Sequence, residues 1–135
     1  AEEAQVTLVT QIEPVKPVHI DAGRIRQVVS NLLNNALRHT PANGTITILL
    51  MQQRDEACLS VQDTGEGIAP EHLPHLFDRF YRVDGSRSRD SGGSGLGLAI
   101  AKTIVEAHKG RISALSDGHN QGSKFTIHLP SVLSS

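Results

Sequence analysis

The firmest pattern in the chain runs from Ile25 to Leu37. There Ile25, Val28, Val29, Leu32, Leu33, Ala36 and Leu37 recur at i, i+3, i+4, i+7, i+8, i+11 and i+12, which gathers apolar side chains along one side of a helix. Asp21 stands where an N-cap belongs. Pro41 closes the stretch, since proline lacks a backbone donor and disfavours helix at the residue before it. Leu96, Ile100, Ile104 and Ala107 predict a second helix ending by Gly110, with Lys102 and Glu106 at i, i+4 on its other side. Strands are predicted at Val6 to Ile12, Val18 to Ile20, Thr45 to Gln53, Ala57 to Asp63, Arg111 to Leu115 and Lys124 to Leu129. Arg54 and Asp55 would join a hairpin, and Pro130 would end the last strand. Pro70 to Phe77 reads as a short helix opening at proline.

Several polar positions break these patterns. Asn31, Asn34 and Asn35 fall inside the first helix, where amide side chains compete with the backbone for hydrogen bonds. Asn31, Asn35 and Arg38 share a stripe of that helix. They form either a solvated face or a site in which amide oxygens and a guanidinium hold a metal and phosphates. On the Ala57 to Asp63 strand, Ala57, Leu59, Val61 and Asp63 share one pleat phase, so a core facing the aliphatics also receives the carboxylate. The turn Thr64-Gly65-Glu66-Gly67-Ile68 follows. Asp63 there either caps the amides of its own turn or accepts a hydrogen bond from a ligand NH₂, as the exocyclic amine of adenine would offer.

Phe77-Asp78-Arg79-Phe80-Tyr81-Arg82 packs aromatics into a local cluster, beyond which Ser, Arg, Asp and Gly take over as far as Ser94. That is the composition of a mobile lid over about 78–94. Ser91 to Ala99 then reads Ser-Gly-Gly-Ser-Gly-Leu-Gly-Leu-Ala. Such glycines let an anion approach bare amides ahead of a helix N-terminus. Leu98 and Ala99 stand where a P-loop needs its Lys-Ser or Lys-Thr pair, and Leu98 replaces the third glycine of a dinucleotide fingerprint. A flexible linker is the plain alternative.

Composition narrows the partners. The 135 residues suit one compact domain, 1–135, and a net charge of −1 provides no basic field for nucleic acid. No stretch has the length of an apolar membrane span. The chain opens Ala1-Glu2-Glu3 rather than on Met, as a piece of a longer protein would. Cys58 is the single cysteine, which suggests neither a disulfide nor a thiolate metal framework and suits a reducing compartment. Among seven histidines, His72 and His75 are three apart, with His19, His39 and His108 elsewhere, but no carboxylate or thiolate completes a recognisable ligand pattern. Packing and surface roles account for them more simply.

In order along the chain stand Asn31-Leu32-Leu33-Asn34-Asn35-Ala36, Asp63-Thr64-Gly65-Glu66-Gly67, Phe77-Asp78-Arg79-Phe80-Tyr81-Arg82 and Gly93-Ser94-Gly95-Leu96-Gly97, followed by Gly122-Ser123-Lys124-Phe125. This series resembles the N, G1, F and G2 boxes of the ATP-binding catalytic domain of two-component sensor histidine kinases, and the resemblance covers nearly the whole chain. It implies the fold of the gyrase, heat-shock-90, histidine-kinase and MutL superfamily. That fold is α+β: a two-layer α/β sandwich with a mixed, mainly antiparallel sheet, helices on one face and ATP under a lid. By the match, Asp63 would read the adenine amine, Gly65 and Gly67 would fit the base beside Ile68, and Asn35 would bind Mg²⁺. Asn31 and Arg38 would support the phosphate side, and His39 would belong to the ATP-binding set. Phe77, Tyr81, Arg82, Gly93, Ser94, Gly95, Leu96, Gly97, Leu98 and Lys102 would complete the ATP-binding set, with Asn31, Asn35 and Arg82 catalytic.

The resemblance also implies transfer of the γ-phosphoryl group to a histidine. Gyrase-like and heat-shock-90-like hydrolases carry a glutamate four residues before the metal-binding asparagine; here that position is Asn31, and an amide is no general base. An ATP-hydrolysing clamp and a non-catalytic nucleotide-binding module are the rival readings. None of the seven histidines is followed by an acidic residue, so the phosphoacceptor and dimerisation domain is expected on another segment. The implied partners are that domain and a response regulator. A monomeric cytoplasmic domain within a homodimeric, membrane-anchored parent is the implied setting.

Overall fold

The computed structural model describes residues 5–79, 97–118 and 121–132. Five strands and two helices follow in the order β1 (Thr7–Ile12), α1 (Ala22–His39), β2 (Thr45–Gln53), β3 (Glu56–Asp63), α2 (Gly97–Ala107), β4 (Arg111–Leu115) and β5 (Ser123–Pro130). The sheet order is β1-β2-β3-β5-β4. Only β1 and β2 are parallel; the crossover that parallel pairing requires is supplied by α1. Both helices pack on one face, α1 against β3 and α2 against β4 and β5, and they pack on each other. The fold is therefore α+β in two layers, as the resemblance implied.

Alternation dictates the core. Val61, Phe125, Ile127 and Leu129 face the helices, meeting Val28, Leu32 and Ala36 of α1 and Ala101, Ile104 and Val105 of α2. Asp21 caps α1 as expected, its carboxylate accepting from the Arg24 amide at 3.1 Å. Two polar ties join the antiparallel helices. The Asn31 amide Nδ2 donates to the Gly97 carbonyl at 3.0 Å, and at the far end the Asp21 N–H donates to His108 Nε2 at 3.0 Å. The His108 proton therefore sits on Nδ1, which donates to the Ile104 carbonyl at 2.8 Å.

Some expectations change. Val18 to Ile20 is not a strand: Val18 makes an isolated bridge to Ser131, since Pro17 removes a ladder donor beside it. The helix expected over Pro70 to Phe77 shrinks to a 3-10 turn at Leu73–His75, where Pro74 lacks the amide a longer helix would use. On α2 the buried face is Ala99, Ala101, Ile104 and Val105 while Ile100 is 38% exposed; the run Leu98-Ala99-Ile100-Ala101 is apolar enough to fit more than one phase. Leu37, at the end of the α1 stripe, is likewise exposed. Pro130 lies within β5 at its last position, beyond the β4 pairing that ends at His128. No helix among the described residues is long and apolar enough to cross a membrane.

Candidate functional site

The site is assembled where the end of β3 meets the C-terminal half of α1. Asp63 is the last residue of β3 and only 3% exposed, delivered inward by the pleat phase it shares with Val61. Its Oδ1 accepts from the Gly65 N–H at 2.8 Å and its Oδ2 from the Ser123 hydroxyl at 2.7 Å. The carboxylate thus caps its own turn, the plainer of the two roles its spacing allowed. Two of about four acceptor positions are used, so capacity for a ligand donor remains.

The turn after Asp63 crosses the end of α1 closely. The Glu66 N–H donates to the His39 carbonyl at 3.2 Å, and His39 Nδ1 lies 3.3 Å from Glu66 Oε1 in an exposed pair. A Cβ on Gly65 would stand 2.0 Å from the His39 carbonyl oxygen. At Gly67 the backbone is left-handed, φ 75°, and a Cβ would stand 1.9 Å from the Gly118 carbonyl oxygen. Both glycines are thus required by chain crossing whether or not a base lies against them. Ser116 anchors the same loop, accepting from the Ile68 N–H at 2.9 Å and donating to the Gly122 carbonyl at 2.7 Å.

Asn31, Asn35 and His39 rise along α1 at intervals of four, one above the other. Asn31 is committed to Gly97, which draws the first turn of α2 to the stripe. Asn35 differs: it is 8% exposed, and no hydrogen bond engages its amide among the described residues. No buried side-chain polar atom of the described residues is left unpaired, so the Asn35 amide reaches solvent. Across from it stands Gly97, with no atom of the described residues within 4 Å of where its Cβ would be. Helix α2 is described from Gly97 onward, and the N-terminal end of a helix carries the positive end of its dipole.

The structure therefore brings Asn31, Asn35, His39, Asp63, Gly65 and Gly97 into one neighbourhood. Arg38 and Lys102 are exposed on their helices. Ile68 and Leu98 belong to the core or pack against it, and Phe77 meets Phe125 edge to face with centroids 6.1 Å apart, which is a packing role. Tyr81, Arg82, Gly93, Ser94, Gly95 and Leu96, and the lid apart from Asp78 and Arg79, lie outside the described residues. The residues around Asp63 that carried no role in the sequence are Ser116, Ser123 and Glu66. Ser123 is signalled only by lying opposite Asp63 in the β3–β5 register.

Comparison with known proteins places the family and the fold. The model of the family described as histidine kinase-, DNA gyrase B- and HSP90-like ATPase matches residues 20–133. The sensor histidine kinase CusS of Escherichia coli K12 is 52% identical over 106 residues, 78% of this chain and 22% of that protein. The sensor protein SrrB of Staphylococcus aureus NCTC 8325 is 46% identical over 110 residues, 82% of this chain and 19% of that protein. The chain thus spans about a fifth of the length of these relatives. Among solved structures, a mycobacterial sensor histidine kinase, MprB, superposes with a TM-score of 0.79 at 31% identity, covering 93% of this chain and 83% of that one.

Proposed function

Because the chain belongs to the histidine kinase-, DNA gyrase B- and HSP90-like ATPase family, we propose that it is one catalytic domain, 1–135, that binds Mg-ATP and passes the γ-phosphoryl group to a histidine on a separate phosphoacceptor and dimerisation domain. The observation that carries this reading is the uncommitted, solvent-reaching Asn35 amide, one helical turn from Asn31 and one from His39, whose carbonyl holds the turn that follows Asp63.

The donor set fits the substrate from end to end. Asp63 keeps acceptor capacity for the adenine amine in a site that excludes most water, where an unmatched ligand acceptor at that position is penalised. The α2 amides favour phosphate negative charge. The Asn35 oxygen is a hard ligand of the kind magnesium takes beside phosphates, and a bound Mg²⁺ would neutralise phosphate charge there. Arg82 and Lys102 add positive charge on the strength of the sequence resemblance. In the transfer, the bond from the γ-phosphorus to the bridging oxygen breaks and ADP leaves with that oxygen, while the unprotonated nitrogen of the acceptor imidazole takes the phosphorus and the proton on the ring's other nitrogen passes to solvent. This chain positions the phosphates and offsets their charge, which is most of what phosphoryl transfer asks of a protein.

Asn31 separates this reading from the hydrolysing clamp. Its amide donates to the Gly97 carbonyl and has no basic lone pair with which to activate water. Transfer to an external acceptor is favoured instead. A parent protein that is homodimeric and membrane-anchored, a cytoplasmic location for this domain and a response regulator downstream belong to the same proposal; no nucleic-acid partner does.

Calorimetric titration with Mg-ATP and Mg-GTP, with phosphate release followed in the same samples, tests the proposal. Selective ATP binding with negligible release, and transfer once a histidine-bearing phosphoacceptor domain is added in trans, is the expected result. Absence of ATP binding refutes the site, and sustained release by the chain alone moves the reading to the clamp.

A further inference from the structure

We propose that the helix-free face of the sheet carries a second, independent site: a binding site for one zinc-class divalent metal ion, held by Cys58, His128 and Glu56. The sheet register builds it. Cys58 and His128 are directly opposed across the β3–β5 ladder, and Glu56, two residues before Cys58, points to the same face. Cys58 Sγ lies 3.3 Å from His128 Nδ1, Glu56 Oε1 lies 3.6 Å from the same nitrogen, and all three ligand atoms fall within 4.8 Å of one another.

The two separations from His128 Nδ1 fall in the range of a tetrahedral ion, and the Glu56 carboxylate need only turn to close the third. Zinc bonds of about 2.3 Å to sulfur, 2.05 Å to nitrogen and 2.0 Å to oxygen put neighbouring ligand atoms about 3.3–3.6 Å apart. Gln53 Oε1 stands 3.6 Å from Cys58 Sγ, at the distance of a fourth ligand. A mixed sulfur, nitrogen and oxygen set selects a borderline ion over magnesium or calcium, which take oxygen alone. The strands hold the ligands in place: Cys58 is only 3% exposed, whereas Glu56 and Gln53 line a surface depression with Arg54, Asp55 and Arg111.

Charge and protonation set the conditions. A thiolate and a carboxylate together match a dication. Arg111 donates to Glu56 Oε1 at 3.0 Å; it orients the carboxylate as outer partners of metal ligands do, while its charge and that of nearby Lys124 moderate affinity. Burial, chiefly, holds the Cys58 thiol above its ordinary range and His128 below its own. On binding, the ion displaces the thiol proton to solvent as the metal–sulfur bond forms. The site is remote from Asp63, five residues and about 17 Å along β3 and on the opposite face, so it does not depend on the nucleotide reading.

The test is titration of chelator-treated protein with Co²⁺, read by thiolate-to-cobalt charge-transfer absorption, and with Zn²⁺ in competition with a chromophoric chelator. One ion per chain with charge-transfer absorption is expected. Cys58→Ser should abolish the absorption, and Glu56→Gln and His128→Gln should each weaken Zn²⁺ binding at least about tenfold, the lower bound known for losing even an outer partner. Circular dichroism verifies the fold of each variant, and Glu56→Gln, isosteric and partly exposed, carries the test if Cys58→Ser is unstable. No charge transfer in the wild type, or Zn²⁺ affinity unchanged in Glu56→Gln and His128→Gln, overturns the proposal and leaves the other histidines as the ion's holders.

Discussion

Asp63→Asn separates the two roles that the carboxylate can play. In the fold Asp63 accepts twice, from the Gly65 N–H and the Ser123 hydroxyl. The asparagine oxygen can keep the Gly65 bond, and the Ser123 hydroxyl can turn to accept from the new NH₂, because a hydroxyl both donates and accepts. Two charge-assisted bonds become neutral, a loss of about 1 kcal/mol each. That lowers the melting temperature by about 4–8 °C for a chain of this length and leaves the protein folded. An adenine amine would instead face an NH₂, losing an acceptor worth about 1.5–3 kcal/mol, or about 10- to 150-fold in Kd. GTP presents a carbonyl where ATP presents the amine, so its affinity should hold or rise. Calorimetry of both nucleotides on wild type and variant, beside thermal melts, reads all of this. An ATP Kd within about twofold of wild type, in a folded variant, would show that Asp63 only caps its turn.

Other perturbations address neighbouring parts of the site. Asn35→Ala should leave the melting temperature within about 2 °C, since no hydrogen bond of the fold is removed, yet erase the magnesium dependence of ATP binding measured with and without EDTA. Asn31→Ala removes the tie to Gly97; about 1 kcal/mol of stability should go with it, together with faster amide hydrogen exchange in the first turn of α2. Gly65→Ala forces a Cβ to 2.0 Å from the His39 carbonyl oxygen, so the turn must shift; denaturant unfolding should report a loss of about 3 kcal/mol, with ATP binding weakened in parallel. His39→Ala removes only an exposed pair, and its unfolding midpoint should move by less than about 1 kcal/mol equivalent.

Much of the fold was legible because its cause is local. The α1 stripe, the Asp21 cap and the Arg54-Asp55 hairpin each follow from a few neighbouring residues, and the structure places them where the pattern does. Asp63 could be foreseen as buried from pleat phase alone. What escaped depends on distant chain. The apolar run Leu98-Ala99-Ile100-Ala101 fits more than one phase, so the spacing places Ile100 inward while packing against β4, β5 and α1 leaves it exposed. Ser123 and Ser116 hold the Asp63 loop from residues some fifty to sixty positions away, with no spacing to announce them. Cys58 looked solitary in the sequence, yet β5 pairs it with a histidine 70 residues on.

The ties at the two ends of the helix pair have a mechanical meaning. Between them the contact of α1 with α2 is apolar and close-packed, which resists pulling the helices apart but opposes sliding far less, since one aliphatic ridge resembles the next. Hydrogen bonds are directional. With Asn31 fastened to Gly97 and Asp21 to His108, any slip of α2 along α1 stretches both fasteners at once. The pair behaves as a braced frame, stiff in shear as well as in separation, and a push delivered at residue 97 is passed to α1 as a whole instead of being spent in local slippage.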